Sequence, residues 1–393
     1  MTSEDKIRKY APTITKTWAA YRTKDYETAY ALIRPGLGEG DIPPLFAPTC
    51  VWVIYQHVKR NKETISFHEF QLAADFFLHK VDKKPDLSRS LFLHLAIEVT
   101  KRHPDFNFID FCIAFDLSAL RDEDFKGSDY TTDDGKIIHY DSLAEKAACR
   151  IYNCMKKRHD IPTVEQIIPF FMSVKEKCPA NRFINMYIAL AYCWTGRVSE
   201  AFATFKQILT TDPQWYIWKN MMLAARNEDE KIAFCCKAMS MVGDEKFKGN
   251  LHLQLAFLTK DSRPGIAAAE LEAYMHTYRQ NCWSISGDAY LLETALAGTA
   301  KSAEIHAFRR QYAHKAEEMI YSDIRPVKMT YTKSIRLASG KTKAILTATR
   351  SSMSIKVAEG AIGKRCKPGS MFTVRYSRKS GHINVLTISP SGK

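Results

Sequence analysis

The sequence predicts a mainly α-helical body followed by a small all-β domain, on three observations. Apolar residues recur at helical spacing, with short breaks, from about residue 12 to about residue 320. Beyond Pro326 the alternation switches to every second residue, in short runs punctuated by glycine. The charge changes at the same place. Of 57 Lys and Arg and 43 Asp and Glu in the chain, fifteen and one respectively fall between Arg325 and Lys393. The first 324 positions therefore hold 42 of each sign, and the whole formal excess of +14 sits in the last 69 residues. The expected boundary is a helical domain over 1–323 and a basic β domain over 324–393.

The length of 393 residues exceeds a usual single domain, and 46% apolar with 25% charged residues is the composition of a soluble globular protein. No apolar run approaches the ~20 residues of a membrane-spanning helix. The opening "MTSEDKIRKYAPTITKTW" lacks the apolar centre of a secretory leader. A cytoplasmic protein without a membrane partner is the expectation. Most of the ten cysteines sit in apolar helical patterns such as "IALAYCW" and "IAFCCKAM", and there is no CxxC. They read as reduced, small core residues, and no metal or other cofactor is expected.

Within the helical body, the clearest unit is "NMYIALAYCWTGRVSEAFATFKQILTTDP", Asn185–Pro213. Small residues at Ala189 and Ala201 let two antiparallel helices approach, Tyr192 and Phe205 fill the groove between them, Gly196 makes the turn and Pro213 ends the unit. This pattern resembles the tetratricopeptide repeat (TPR), with Asn185 where such repeats often carry tryptophan. Weaker versions of the rhythm occur at 18–33, 215–239, 251–275 and 288–313. The resemblance implies an α-solenoid of stacked helix pairs that binds a protein partner, since a lone pair cannot bury both of its faces.

One segment interrupts the helices, "LRDEDFKGSDYTTDDGKIIHYDSLAEKAA". Asp134-Gly135 between two β-prone runs predicts a hairpin near 127–141, and Asp141 or Ser142 then caps a new helix with Glu145 in its first turn. The cluster Asp122, Glu123, Asp124, Asp129, Asp133 and Asp134 does not have the register of an EF-hand loop and reads as a solvated acidic surface. A metal-dependent nuclease using Asp129, Asp133, Asp134 and His139 stands as a secondary alternative.

The basic end offers about five strands in "VKMTYTKSIRL", "TKAILTATR", "MSIKVA", "MFTVRYS" and "HINVLTIS". A closed barrel is expected, because so small an open sheet leaves bare edges. The final stretch "KPGSMFTVRYSRKSGHINVLTISP" resembles the last two strands of a cold-shock or related OB-type barrel (an SH3-like barrel being the other small closed form), through Phe372, Val374, Asn384 and Val385. The aromatic stacking residues of cold-shock domains are missing from "TKAILTATRSSMSIKVA". Binding to RNA or DNA is therefore expected through phosphates, using Lys341, Lys343, Arg350, Lys356, Lys364, Arg365, Lys367, Arg375, Arg378 and Lys379. Tyr376 falls by alternation on the core face.

The chain carries no Walker A, GxSxG, HExxH or dinucleotide-binding glycine pattern, so a non-enzymatic adaptor is expected. Helical repeats would hold a protein partner and the basic barrel would hold nucleic acid. In style the chain loosely resembles bacterial accessory proteins of conflict and phage-defence systems. The alternative is a pure protein-interaction scaffold whose basic end docks on an acidic partner.

Overall fold

The computed structural model describes residues 2–157, 160–363, 366–379 and 382–391, with the side chains of Lys379 and His382 left aside. The chain is mainly helical with a C-terminal antiparallel β half-barrel, and it divides into two compact units, 1–195 and 196–393. No helix among the described residues is long and apolar enough to cross a membrane.

The first unit runs α1 (Ser3–Arg22), α2 (Tyr26–Glu39), α3 (Ala47–Asn61), α4 (Phe67–Lys80), α5 (Leu87–Val99) and α6 (Phe108–Phe115). A hairpin of β1 (Ser128–Thr131) and β2 (Ile137–Tyr140) follows, then α7 (Leu143–Met155), α8 (Ile161–Lys177) and α9 (Ile184–Trp194). Side-chain caps start most of these helices: Asp25, Ser66, Asp86, Asn107 and Asp160 each accept a first-turn N–H. The core is aromatic. Phe77 stacks on Phe92 at 3.9 Å between ring centres, and Phe70 and Phe111 complete the cluster across α4, α5 and α6. The hairpin predicted from Asp134-Gly135 is present, with Gly135 at φ 78° in its turn, where a side chain would be strained. Ser142 caps α7 in a reciprocal box with Glu145.

The second unit contains α10 (Val198–Thr211), α11 (Trp215–Met221), α12 (Glu228–Met241), α13 (Gly249–Thr259), α14 (Pro264–Gln280), α15 (Gly287–Ala295) and α16 (Ile305–Tyr321). Neighbours pack in sequence through α14, but α16 then folds back along α12. Lys315 and Tyr312 reach Asp229, and Lys237 pairs with Glu317. A strict solenoid would contact neighbours alone. Here the return of α16 brings the chain back beside α10, where buried Tyr321 bonds the Leu209 carbonyl at 3.1 Å and meets Trp218 edge-on.

From there the chain enters β3 (Val327–Arg336), β4 (Thr342–Ala348), β5 (Ser354–Ala358), the short α17 (Glu359–Ile362), β6 (Met371–Lys379) and β7 (His382–Pro390). The sheet order is β5-β4-β3-β6-β7, all antiparallel. Expected closure is thus replaced by a half-barrel with β5 and β7 at its margins. The edges are managed otherwise. Helix α17 lies against β4, β5 and β7, and Arg378 bonds the Met353 sulfur at 3.1 Å across the gap.

Of the repeat positions, Ala189, Ala201 and Phe205 are fully buried, Tyr192 and Pro213 are half-buried, and Gly196 is an exposed residue at φ 74° between α9 and α10.

Candidate nucleic-acid interface

The half-barrel has two faces because strand residues alternate. Met329 and Tyr331 of β3, Ala344 and Leu346 of β4, Ile355 and Val357 of β5, and Phe372 and Val374 of β6 form its buried core. The opposite face of the first three strands is polar. Register places Lys356 opposite Ile345, and Ile345 opposite Lys333, so two lysines flank one isoleucine across three strands. Lys343 lies two residues along β4 from Ile345, on that same face. Strand spacing puts the Lys333 and Lys356 backbones about 10 Å apart, and the diagonal from Lys343 to Lys356 is about 7–8 Å.

Like charges this close repel unless acids lie among them. None do: the one acid of the segment, Glu359, accepts from the Ser334 hydroxyl at 2.9 Å, and none of the segment's cations is in an ion pair among the described residues.

The structure separates the ten expected binding residues. Lys343 and Lys356 share the outward face just described. Lys341 lies in the turn joining β3 to β4, and Arg350 in the turn joining β4 to β5 at the opposite end. Lys367 opens the turn before β6, which is tied to β3 by Gly369 N–H on the Tyr331 carbonyl; Gly369 sits at φ 94°, where a side chain would be strained. Lys364 and Arg365 fall outside the described residues, and of Lys379 only the backbone, in β6, is described. Arg375 is committed elsewhere: half-buried, it donates Nε to the Ile324 carbonyl at 3.1 Å and pins the entering linker. Arg378 is shared between Met353 and the Tyr376 ring, 5.8 Å below its guanidinium. Tyr376 itself is half-buried. Sequence reading passed over Lys333, because a bulge between Tyr331 and Lys333 turns it to the outer face. Lys328 and Arg336 are further exposed cations on β3 that it left out.

The barrel-like motif residues have structural jobs. Phe372 and Val374 are core, and Val385 packs against it. Asn384 donates to the Thr211 carbonyl at 2.8 Å, and Ser377 donates to that of Thr210. These are last-turn carbonyls of α10 that no intrahelical N–H can reach, so the β6–β7 hairpin caps a helix of the body. The basic sheet is thereby held to α10 within the second unit.

In the first unit the nuclease quartet is not assembled. Asp129 bonds His139 Nδ1 at 2.6 Å, and this carboxylate holds the imidazole pKa above its ordinary value. Asp133 and Asp134 lie in the hairpin turn beyond the Thr131–Ile137 pair, where Asp134 accepts from Thr132. His139 instead comes near Asp141 and Glu145, their ligand atoms within 4.8 Å of one another. Glu145 is already occupied, one oxygen on Ser142 N–H at 2.8 Å and the other on the Asn181 amide at 2.9 Å.

A family model described as a domain of unknown function, DUF7017, matches residues 182–316, from just before α9 into α16. The matched region ends before the half-barrel. No curated protein matches the chain.

Proposed function

We propose that the chain is an adaptor whose half-barrel binds nucleic acid through the phosphate backbone, while the helices carry a protein partner. The observation that carries this reading is the outward face of β3, β4 and β5, where Lys333, Lys343 and Lys356 crowd together without a neutralising acid. A polyanion laid across that face would remove their mutual repulsion and release counterions. The face offers Ile345 between the lysines and Thr347 beyond it, but among the described residues no aromatic ring. Stacking of unpaired bases is therefore absent from the design, and a duplex, read by its backbone and shape, is the better fit.

Two features support the finer assignments. The half-barrel has a three-strand meander, a helix after the third strand, a final hairpin, and pairing of the first strand with the fourth. That order supports the likeness to an OB-type barrel, a fold that binds oligonucleotides on its second and third strands and adjoining loops. On the helices, exposed Leu223, Phe247 and Leu291 give a protein partner apolar surface.

The test is binding of the full chain to single- and double-stranded RNA and DNA at low and physiological salt. Binding that weakens steeply with salt, strongest for a duplex, upholds the reading. Absence of binding at low salt overturns it and leaves an acidic protein partner to explain the cationic face.

A further inference from the structure

The first unit contains a cleft of about 1030 Å³, bounded by the end of α5, the 100–107 loop, the start of α6, one side of α7 and the start of α8. Its size is at the upper end of small-molecule sites. It takes no part in the interface above.

One side of α7 turns Lys146, Cys149, Arg150 and Asn153 into the cleft at spacings of three and four residues, and Lys156 and Lys157 stand at its rim. Lys146 is half-buried, and among the described residues neither it nor Lys157 has a carboxylate partner. Arg150 gives Nη2 to the Thr100 carbonyl at 2.7 Å and lies over the Phe108 ring at 5.7 Å, while its buried Nε has no acceptor. Five carboxylates also line the cleft, but three are engaged. Glu98 is held by Lys101 at 2.8 Å, Asp110 accepts from the Asn107 amide, and Asp160 caps Thr163 N–H at 3.0 Å. Lys146, Arg150, Lys156 and Lys157 line the cleft together with an apolar wall that includes Ile97 and Ile109.

We propose that this cleft binds a small organic phosphate of nucleotide size. Lys146 and Arg150, one helical turn apart on α7, both line the cleft and suit a compact polyanion, whereas an acidic peptide would spread its carboxylates along an extended chain. The organic body lies against the apolar wall, with Asp105 and Asp141 placed to accept hydrogen bonds from its amino groups.

The test is calorimetric titration of the full chain with adenosine triphosphate, guanosine triphosphate and inorganic pyrophosphate at physiological salt. One saturable site is expected for a nucleotide. Lys146→Ala with Lys157→Ala should weaken it at least tenfold, and Lys343→Ala with Lys356→Ala, on the half-barrel, should leave it within twofold. The nucleotide should also slow alkylation of Cys149 in the unmutated protein. No heat with any of the three ligands overturns the proposal. So does loss of binding in the half-barrel variant, tighter binding of a hexaglutamate peptide than of either nucleotide, or an unchanged Cys149 alkylation rate.

Discussion

Replacing Glu270 tests how the helices of the second unit are held together. Its side chain is 0% exposed and accepts three hydrogen bonds: Nε and Nη2 of Arg309, each at 2.6 Å, and Nδ1 of His252 at 2.6 Å. Three helices, α13, α14 and α16, meet at this one carboxylate. Glu270→Ala takes the carboxylate from a guanidinium that is only 21% exposed and from Nδ1 of a His252 that is 2% exposed, leaving Glu245, 3.7 Å from His252 Nε2, as the carboxylate beside them. Breaking a buried pair from one side costs about 3–5 kcal/mol, because the remaining charge stays desolvated. Glu270→Gln keeps the shape but loses the charge, and should cost roughly 1.5–3 kcal/mol. Hydrogen exchange read by mass spectrometry resolves this peptide by peptide. Amides of α13, α14 and α16 should exchange faster by roughly a hundred- to a few-thousand-fold in Glu270→Ala, at about 1.4 kcal/mol per tenfold. Peptides of residues 2–157 should be unchanged. An acceleration under tenfold, or one spread evenly over both units, would refute the reasoning.

Three further outcomes follow from single contacts. Gly36→Ala sets a methyl carbon 2.8 Å from Tyr10 Cε1 and 3.0 Å from Ile42 Cγ1, so overpacking of α1 on α2 should cost about 1–3 kcal/mol in urea unfolding. Asn384→Ala strips the Thr211 carbonyl of its donor, and should cost about 1 kcal/mol, with faster exchange confined to the end of α10 and the β6–β7 hairpin. The His139 imidazole should titrate above the usual histidine range by NMR, and Asp129→Asn should return it there. Because its folded pKa is raised, the stabilisation from that pair is complete below the unfolded value near 6.5 and fades as pH rises through the folded pKa.

What could be read from the chain was local. Helical spacing, the change to alternation after Pro326 and the crowding of cations into 325–393 are properties of neighbouring residues, and the fold class follows from them. The Asp134-Gly135 hairpin and the Ser142–Glu145 cap were legible for the same reason. Contacts between distant segments were not. Arg375 reads as one more cation in "TVRYSRK", yet the Ile324 carbonyl, 51 residues back, takes its Nε. Asn384 reads as a barrel motif, yet it caps a helix 173 residues earlier. Lys333 was missed because a bulge shifts alternation by one residue, which no pattern count foresees. Closure of the barrel was expected from a general dislike of bare edges, and α17 with the Arg378–Met353 contact shields them instead.

The most direct measurement is the salt dependence of duplex DNA binding for the full chain and for the triple variant Lys333→Ala, Lys343→Ala, Lys356→Ala. Each lysine on a phosphate contributes about 0.9 to the slope of log affinity against log salt. The account predicts a slope shallower by about 2.7 in the triple variant, with affinity lowered for every sequence alike. An unchanged slope would contradict it, because phosphates would then be held somewhere other than the outward face of β3, β4 and β5.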